Sequence, residues 1–135
     1  MKIKGFIEYN NSASFKKITV DFDTEKDCSQ TGTDVFDAIA YALYGKTIYN
    51  EIVRIEMGVP FIALNIECNS KAFYVARQPE YLRNTALGTT YLTKELFSIK
   101  TESAEYDALS EEKYYEILKE YLDISFNEFV SFLKP

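Results

Sequence analysis

Histidine and tryptophan are absent from the 135 residues, and cysteine, methionine and proline occur only two or three times each. Without histidine the chain loses both the usual general base near neutral pH and the commonest metal ligand. Cys28 and Cys68 are too few and too far apart in sequence for a zinc site or a disulfide framework. We therefore expect no catalytic residues, no metal site and no enzymatic activity.

Long apolar runs are also missing, and none approaches the about 20 residues that a membrane-spanning helix needs. Residues 1–8 alternate between polar and apolar side chains, which is typical of a β-strand and not of a signal peptide. We therefore expect a protein of the reducing cytoplasm that does not associate with a membrane.

Negative charge is concentrated at one end of the chain. The net charge is −6, and residues 1–100 hold 12 acidic and 12 basic groups, so the whole excess lies in residues 101–135. Such an end repels free nucleic acid and attracts a basic partner. The candidate partner-binding residues are Glu102, Glu105, Asp107, Glu111, Glu112, Glu116 and Glu120. A solvated helix face is the simpler interpretation, and it stays open.

The apolar periodicity predicts one α/β domain over residues 1–135. Strands are predicted at 2–9, 15–22, 60–68, 71–77 and 89–100, and helices at 33–44, 110–122 and after Ser125. Asn69-Ser70 is a hairpin signal, and Ser110 and Ser125 are helix-capping residues. We expect a mixed, largely antiparallel sheet, with one central helix packed on it and two short C-terminal helices at one end.

A polar loop at 28–34 leads directly into the central helix, whose first N–H groups could bind an anion. The helix sequence Asp-Ala-Ile-Ala-Tyr-Ala-Leu-Tyr-Gly-Lys-Thr, at 37–47, resembles the helix after the phosphate loop in SMC-like DNA-repair ATPases, most closely the SbcC-type exonuclease subunits. The hairpin at 60–77, the run Gln78–Arg83 and the last helix also resemble this family. The resemblance implies a partial ABC/SMC-like ATPase lobe, truncated within the family's N-terminal half-domain.

The phosphate loop itself departs from the family pattern G-x-x-x-x-G-K-[ST]. The alignment places Lys26, Ser29 and Thr31 where the loop glycines belong, and Gly32 where the lysine belongs. Thr33 alone falls at the position of the metal-binding hydroxyl. Glycines let the backbone wrap around phosphates, and the lysine contacts the β- and γ-phosphates. We therefore expect a degenerate loop that binds no cofactor.

Basic residues near the first hairpin are the candidate phosphate contacts: Lys2, Lys4, Lys16 and Lys17, with Arg77 and Arg83 as a second group. Scattered surface lysines on an acidic protein more often serve solubility, so we expect direct nucleic-acid binding to be unfavourable.

These expectations together favour a non-catalytic protein-binding module derived from an SbcC-like lobe. We expect a phage or mobile-element inhibitor whose partner is a nuclease, an SMC-like ATPase or a CRISPR effector complex. The alternative is a DNA-repair ATPase subunit fragment that binds DNA or nucleotide together with a separate chain. Formation of a homodimer also stays open.

Overall fold

The computed structural model describes residues 1–10, 14–26, 31–52 and 59–133, except for the side chains of residues 81, 83 and 90–93. The strands are β1 Lys2–Asn10, β2 Phe15–Asp23, β3 Phe61–Cys68, β4 Lys71–Asn84, β5 Thr89–Lys100 and β6 Glu105–Leu109. The helices are α1 Thr33–Tyr44, α2 Glu111–Leu118 and α3 Phe126–Ser131. The fold is therefore α/β, with three helices in the described part of the chain.

The six strands form one sheet in the order β2-β1-β3-β4-β5-β6, and all five pairings are antiparallel. The prediction of a largely antiparallel sheet is confirmed, but the mixed character is wrong for the described strands. The long crossing through α1 brings β3 in on the far side of β1. As a result β2 and β3 run in the same direction, but β1 separates them and no parallel pair forms.

One face of the sheet carries the hydrophobic core. Ile3, Ile7, Leu64 and Val75 are fully buried there, as the two-residue period of strands requires. The apolar face of α1 packs into the same core and comprises Val35, Phe36, Ile39, Ala42 and Leu43. Gly45 ends α1 in the left-handed region, and its N–H bonds to the Tyr41 carbonyl.

The two C-terminal helices begin where their capping residues predict. Ser110 accepts a hydrogen bond from the Lys113 N–H, and Ser125 forms a full capping box with Glu128. α2 ends at Leu118 and not at residue 122, because residues 119–121 continue as turns. Within the described ranges no helix is both long and apolar enough to cross a bilayer.

The strand that was predicted to end at Arg77 continues to Asn84. β3 pairs with β4 only as far as Arg77, so β4 has β5 as its one described neighbour beyond that point. Pro79 has no backbone N–H to donate to a neighbouring strand, but proline is tolerated where one side of a strand has no partner. Residues 78–95 therefore form a two-stranded arm that extends roughly 20 Å past β3, at about 3.3 Å per residue.

Candidate functional site

A carboxylate occupies the N-terminus of α1, next to the loop that was predicted to be a degenerate phosphate loop. The Oδ1 atom of Asp34 accepts the Val35 N–H at 2.9 Å, and its Oδ2 accepts the Tyr9 hydroxyl at 3.3 Å. The N–H groups of Val35 and Phe36 also bond to the Gly32 carbonyl. Negative charge therefore already complements the positive end of the helix dipole and opposes an incoming phosphate.

The predicted loop residues are only partly brought together. Lys26 and Thr31 line one cavity of about 270 Å³ beside the start of α1. Gly32 is the N-cap in an extended conformation that does not require glycine, and Thr33 is exposed in the first turn. Ser29 lies outside the described residues. The cavity is also lined by Lys2, Lys4, Asp21 and Asp23, so both signs of charge meet there.

The four candidate phosphate lysines lie on both faces of the sheet and therefore do not form one patch. Lys16 is opposite the buried Tyr9 in the β1–β2 register, so it lies on the core side of the sheet, whereas Lys17 lies on the open side. Lys17 forms an ion pair with Glu8, with Nζ and Oε1 3.7 Å apart. The reason is the two-residue period of strands, which sends adjacent lysines to opposite faces.

Lys2 and Lys4 lie on the open face, near one end of β1. They line a groove of about 520 Å³ together with Tyr74, Lys100 and Glu102 among others. The cross-strand neighbour of Lys2 is Asp23 on β2, and that of Lys4 is Asp21. This alternation of signs weakens any attraction for a nucleic-acid backbone.

The seven candidate partner-binding carboxylates are all exposed, and we call the surface they form the acidic edge. They follow one border of the protein, from the turn after β5, along the edge strand β6, and onto the outer side of α2. Glu116 forms an ion pair with Lys113 at 3.6 Å, and Glu111 lies 3.6 Å from Arg77. Within the described part of the chain, no ion pair engages the other five: Glu102, Glu105, Asp107, Glu112 and Glu120.

Arg77 is not a surface phosphate contact, because its side chain is only 3% exposed. Glu95 binds it through two oxygens, and its Nη1 donates to the Tyr41 carbonyl at 3.1 Å and to the Tyr115 hydroxyl at 2.8 Å. The guanidinium also lies 3.8 Å from the centre of the Tyr41 ring. Burial opposes the charge, but these hydrogen bonds outweigh it and raise the pKa of Arg77 above its ordinary value. Arg83 has no described side chain.

Asp37 is the buried acid that the sequence pattern does not reveal. It is fully buried and accepts three backbone N–H groups from the loop after α1. The donors are Ile48 and Tyr49 to Oδ1, both at 2.7 Å, and Glu51 to Oδ2 at 2.6 Å. Asp37 lies on the opposite side of the helix from the apolar face that contains Ile39, so the hydrophobic period gives no signal for its burial. Its role is structural, since it anchors the loop.

No group of three His, Cys, Asp or Glu side chains is placed to hold a metal ion in the ranges that the structure describes. Cys68 is buried in the core. An apolar groove of about 520 Å³ separates the end of α1 from α2 and α3, with Tyr44, Leu118, Leu122 and Phe126 among its lining residues.

No family model, curated protein or solved structure matches this chain. The resemblance to an SMC-like ATPase lobe therefore stays a prediction from its motifs.

Proposed function

We propose that this chain is a non-catalytic protein-binding module, derived from an SbcC-like ATPase lobe, that inhibits a host nuclease or defence complex. The acidic edge carries this proposal. Five of its carboxylates have no ion-pair partner among the described residues. Glu105 and Asp107 lie on the edge strand β6 and Glu112 lies on α2, while Glu102 precedes the strand and Glu120 follows the helix. They are therefore free to meet a basic surface.

A channel that binds nucleic acid offers such a surface. Its Lys and Arg side chains are arranged to meet a line of phosphates. An acidic border of a folded protein presents a similar line of negative charge, and electrostatic complementarity speeds encounter and selects the partner. The inhibitor would then occupy the channel of a repair exonuclease or a CRISPR effector and exclude its substrate.

The start of α1 supports the non-catalytic part of the proposal. Asp34 holds the N–H group that a phosphate would need, and Gly32 stands where a lysine would contact the β- and γ-phosphates. A lobe that does not bind nucleotide would act through its outer surfaces, which can bind a partner protein.

The test compares two triple variants with the same change in net charge. The first is Glu105→Gln with Asp107→Asn and Glu112→Gln, on the acidic edge. The matched control is Asp21→Asn with Glu25→Gln and Glu67→Gln, three exposed acids elsewhere on the chain.

Affinity purification from a bacterial lysate, followed by mass spectrometry, reads out the partner. We expect the wild type and the control to capture a nuclease or an effector complex, and the acidic-edge variant to lose it. Steep weakening of the complex by salt is expected as well. Equal capture by both variants, or capture of no nucleic-acid-binding protein, would contradict the proposal.

The second candidate function is a DNA-repair ATPase subunit fragment that binds DNA or nucleotide together with a separate chain. The observation in its favour is the cavity beside α1, where Lys2, Lys4 and Lys26 lie near Thr31. Calorimetry with ATP and Mg²⁺ distinguishes the two candidates. The first proposal predicts no measurable heat of binding, and micromolar affinity would support the second candidate in its place.

A further inference from the structure

We propose that the outer border of the edge strand β2 is a dimerisation surface, on which β2 of a second copy of this chain pairs antiparallel. β2 lies at one end of the sheet, and β1 is its one neighbour in the described part of the chain. The outer side of an edge strand presents unpaired N–H and C=O groups that another strand can bind. The inference does not depend on the proposed function.

The border of β2 is regular along its whole length. All nine of its residues pair with β1 without a register shift, and none of them is proline. The strand at the opposite end of the sheet, β6, has five residues, and its pairing is interrupted. Shortness and irregularity protect an edge from further pairing, so β2 is the better template of the two.

One hydrogen bond shows which residues of β2 direct their backbone groups outward. The Thr24 N–H donates to the Met1 carbonyl at 3.0 Å, one position beyond the paired residues Lys2 and Asp23. Successive residues of a strand direct their N–H and C=O groups to opposite sides. Counted back from Thr24 in steps of two, the even-numbered residues of β2 bond to β1. The odd-numbered residues, with Thr19 at the centre, therefore offer their N–H and C=O groups to a new strand.

The charges on this border are complementary to themselves, which selects a second copy as the occupant. Lys17 and Asp21 are exposed, belong to the outward-bonding set, and lie two residues before and two residues after Thr19. When two copies of β2 meet antiparallel with Thr19 opposite Thr19, Lys17 of each copy lies opposite Asp21 of the other. The two-fold axis thus produces two ion pairs in a closed, isologous dimer. Parallel pairing in register would place like charges opposite each other.

The neighbouring antiparallel registers match these charges less well. A shift by two residues in one direction places Lys17 opposite Thr19. A shift in the other direction places Lys17 opposite Asp23 but leaves Asp21 opposite Thr19. The register centred on Thr19 also sets Ile18 opposite Val20 on the core side of the sheet, and such β-branched pairs stabilise adjacent strands.

Both charged side chains are available for contacts between copies. Lys17 lies 3.7 Å from Glu8 of β1, yet its side chain stays 61% exposed. Within the described ranges Asp21 takes part in no ion pair. The dimer would join the two sheets into one, with β6 and its acidic residues at both outer ends. Like charge there opposes the addition of a third copy.

The test measures mass by sedimentation equilibrium on the whole chain. We expect a concentration-dependent dimer of twice 15.6 kDa. Lys17→Asp alone, or Asp21→Lys alone, places like charges opposite each other at both pairs and should raise the dissociation constant by about tenfold or more. The double variant Lys17→Asp with Asp21→Lys should restore the wild-type constant. An equimolar mixture of the two single variants should form a heterodimer, because each then supplies the charge that the other needs.

The matched controls are Lys119→Asp and Asp107→Lys, which make the same changes of charge at exposed residues away from β2. They should leave the dissociation constant unchanged. Recovery in the double variant and in the mixture separates a lost contact between copies from a damaged fold, since the same substitutions are present in both.

Hydrogen exchange supplies an independent measurement. The backbone amides of Lys17, Thr19 and Asp21 should gain protection as the protein concentration rises, while those of β6 should not. A wild-type monomer at all concentrations would overturn the proposal. So would single variants that the controls match, a mixture that does not form the heterodimer, protection confined to another surface, or a mass that keeps rising beyond the dimer.

Discussion

Replacing Asp37 by asparagine changes few atoms but should destabilise the fold strongly. The carboxylate is fully buried and accepts three backbone N–H groups at 2.6–2.7 Å. The asparagine amide has only one oxygen, so it can accept the hydrogen bonds of only one of the two carboxylate oxygens. Its NH₂ group then faces a backbone N–H, which is also a donor. One or two of the N–H groups lose their acceptor, and the surviving bonds lose their charge assistance.

The magnitude follows from the bonds that change. A hydrogen bond to a charged group contributes about 1.5–3 kcal/mol, and an orphaned buried donor costs about 1–3 kcal/mol. Because these two quantities describe the same lost bond, we expect a decrease of about 2–4 kcal/mol in the free energy of unfolding for Asp37→Asn. That is a large part of the about 5–15 kcal/mol typical of a whole protein.

The matched control is Asp34→Asn on the same helix. Asp34 is only half-buried, and its described bonds run to the adjacent Val35 N–H and to the Tyr9 hydroxyl. Loss of its charge at the helix N-terminus should cost about 0.3–1 kcal/mol. Urea unfolding followed by far-UV circular dichroism gives both values. If Asp37→Asn costs no more than the control, the three-bond anchor does not stabilise the fold as argued.

Three further predictions follow from buried groups. Burial raises the pKa of three tyrosine hydroxyls above the ordinary value of about 10, namely those of Tyr41, Tyr44 and Tyr114. Because these hydroxyls ionise at a lower pH in the unfolded chain than in the folded one, their contribution to stability is complete below pH about 10 and is lost as the pH rises above it. In an alkaline titration, tyrosinate absorbance should therefore appear together with the loss of circular dichroism. Ionisation of these tyrosines before unfolding would contradict this prediction. Arg77→Lys should lower the free energy of unfolding by about 2 kcal/mol, because lysine cannot reproduce the two forked contacts of arginine with Glu95. An unchanged midpoint of chemical denaturation would refute that reasoning. Gly5→Ala should lower the free energy of unfolding, measured by thermal unfolding, by about 1–3 kcal/mol, because the added methyl group collides with the Ala63 carbonyl. A stability equal to that of the wild type would show that β1 and β3 separate easily.

Much of the fold could be predicted from short-range patterns. The α1 helix with its Gly45 end, the Asn69-Ser70 hairpin and both serine caps depend on residues within a few positions of each other. The short edge strand β6 was not predicted. It has five residues, and its pairing is interrupted between Phe97 and Ile99 of β5.

The candidate site was less predictable, because it depends on which faces and edges come together. The sequence located the acidic edge, since the excess of charge is a property of composition. It could not place Lys16 and Lys17 on opposite faces of the sheet, nor show that Glu111 lies beside Arg77.

By itself the sequence determined the hydrophobic periods of the strands and helices, the helix caps and the uneven distribution of charge, because these are local or additive properties. Only the tertiary structure decided the rest. It placed Arg77 beneath helix α1, joined Asp37 to a loop that begins nine residues after it, at Lys46, and extended residues 78–95 past the end of β3. The physical reason is that burial and pairing are set by neighbours distant in sequence, so the same arginine or aspartate can be a surface ligand or an internal anchor.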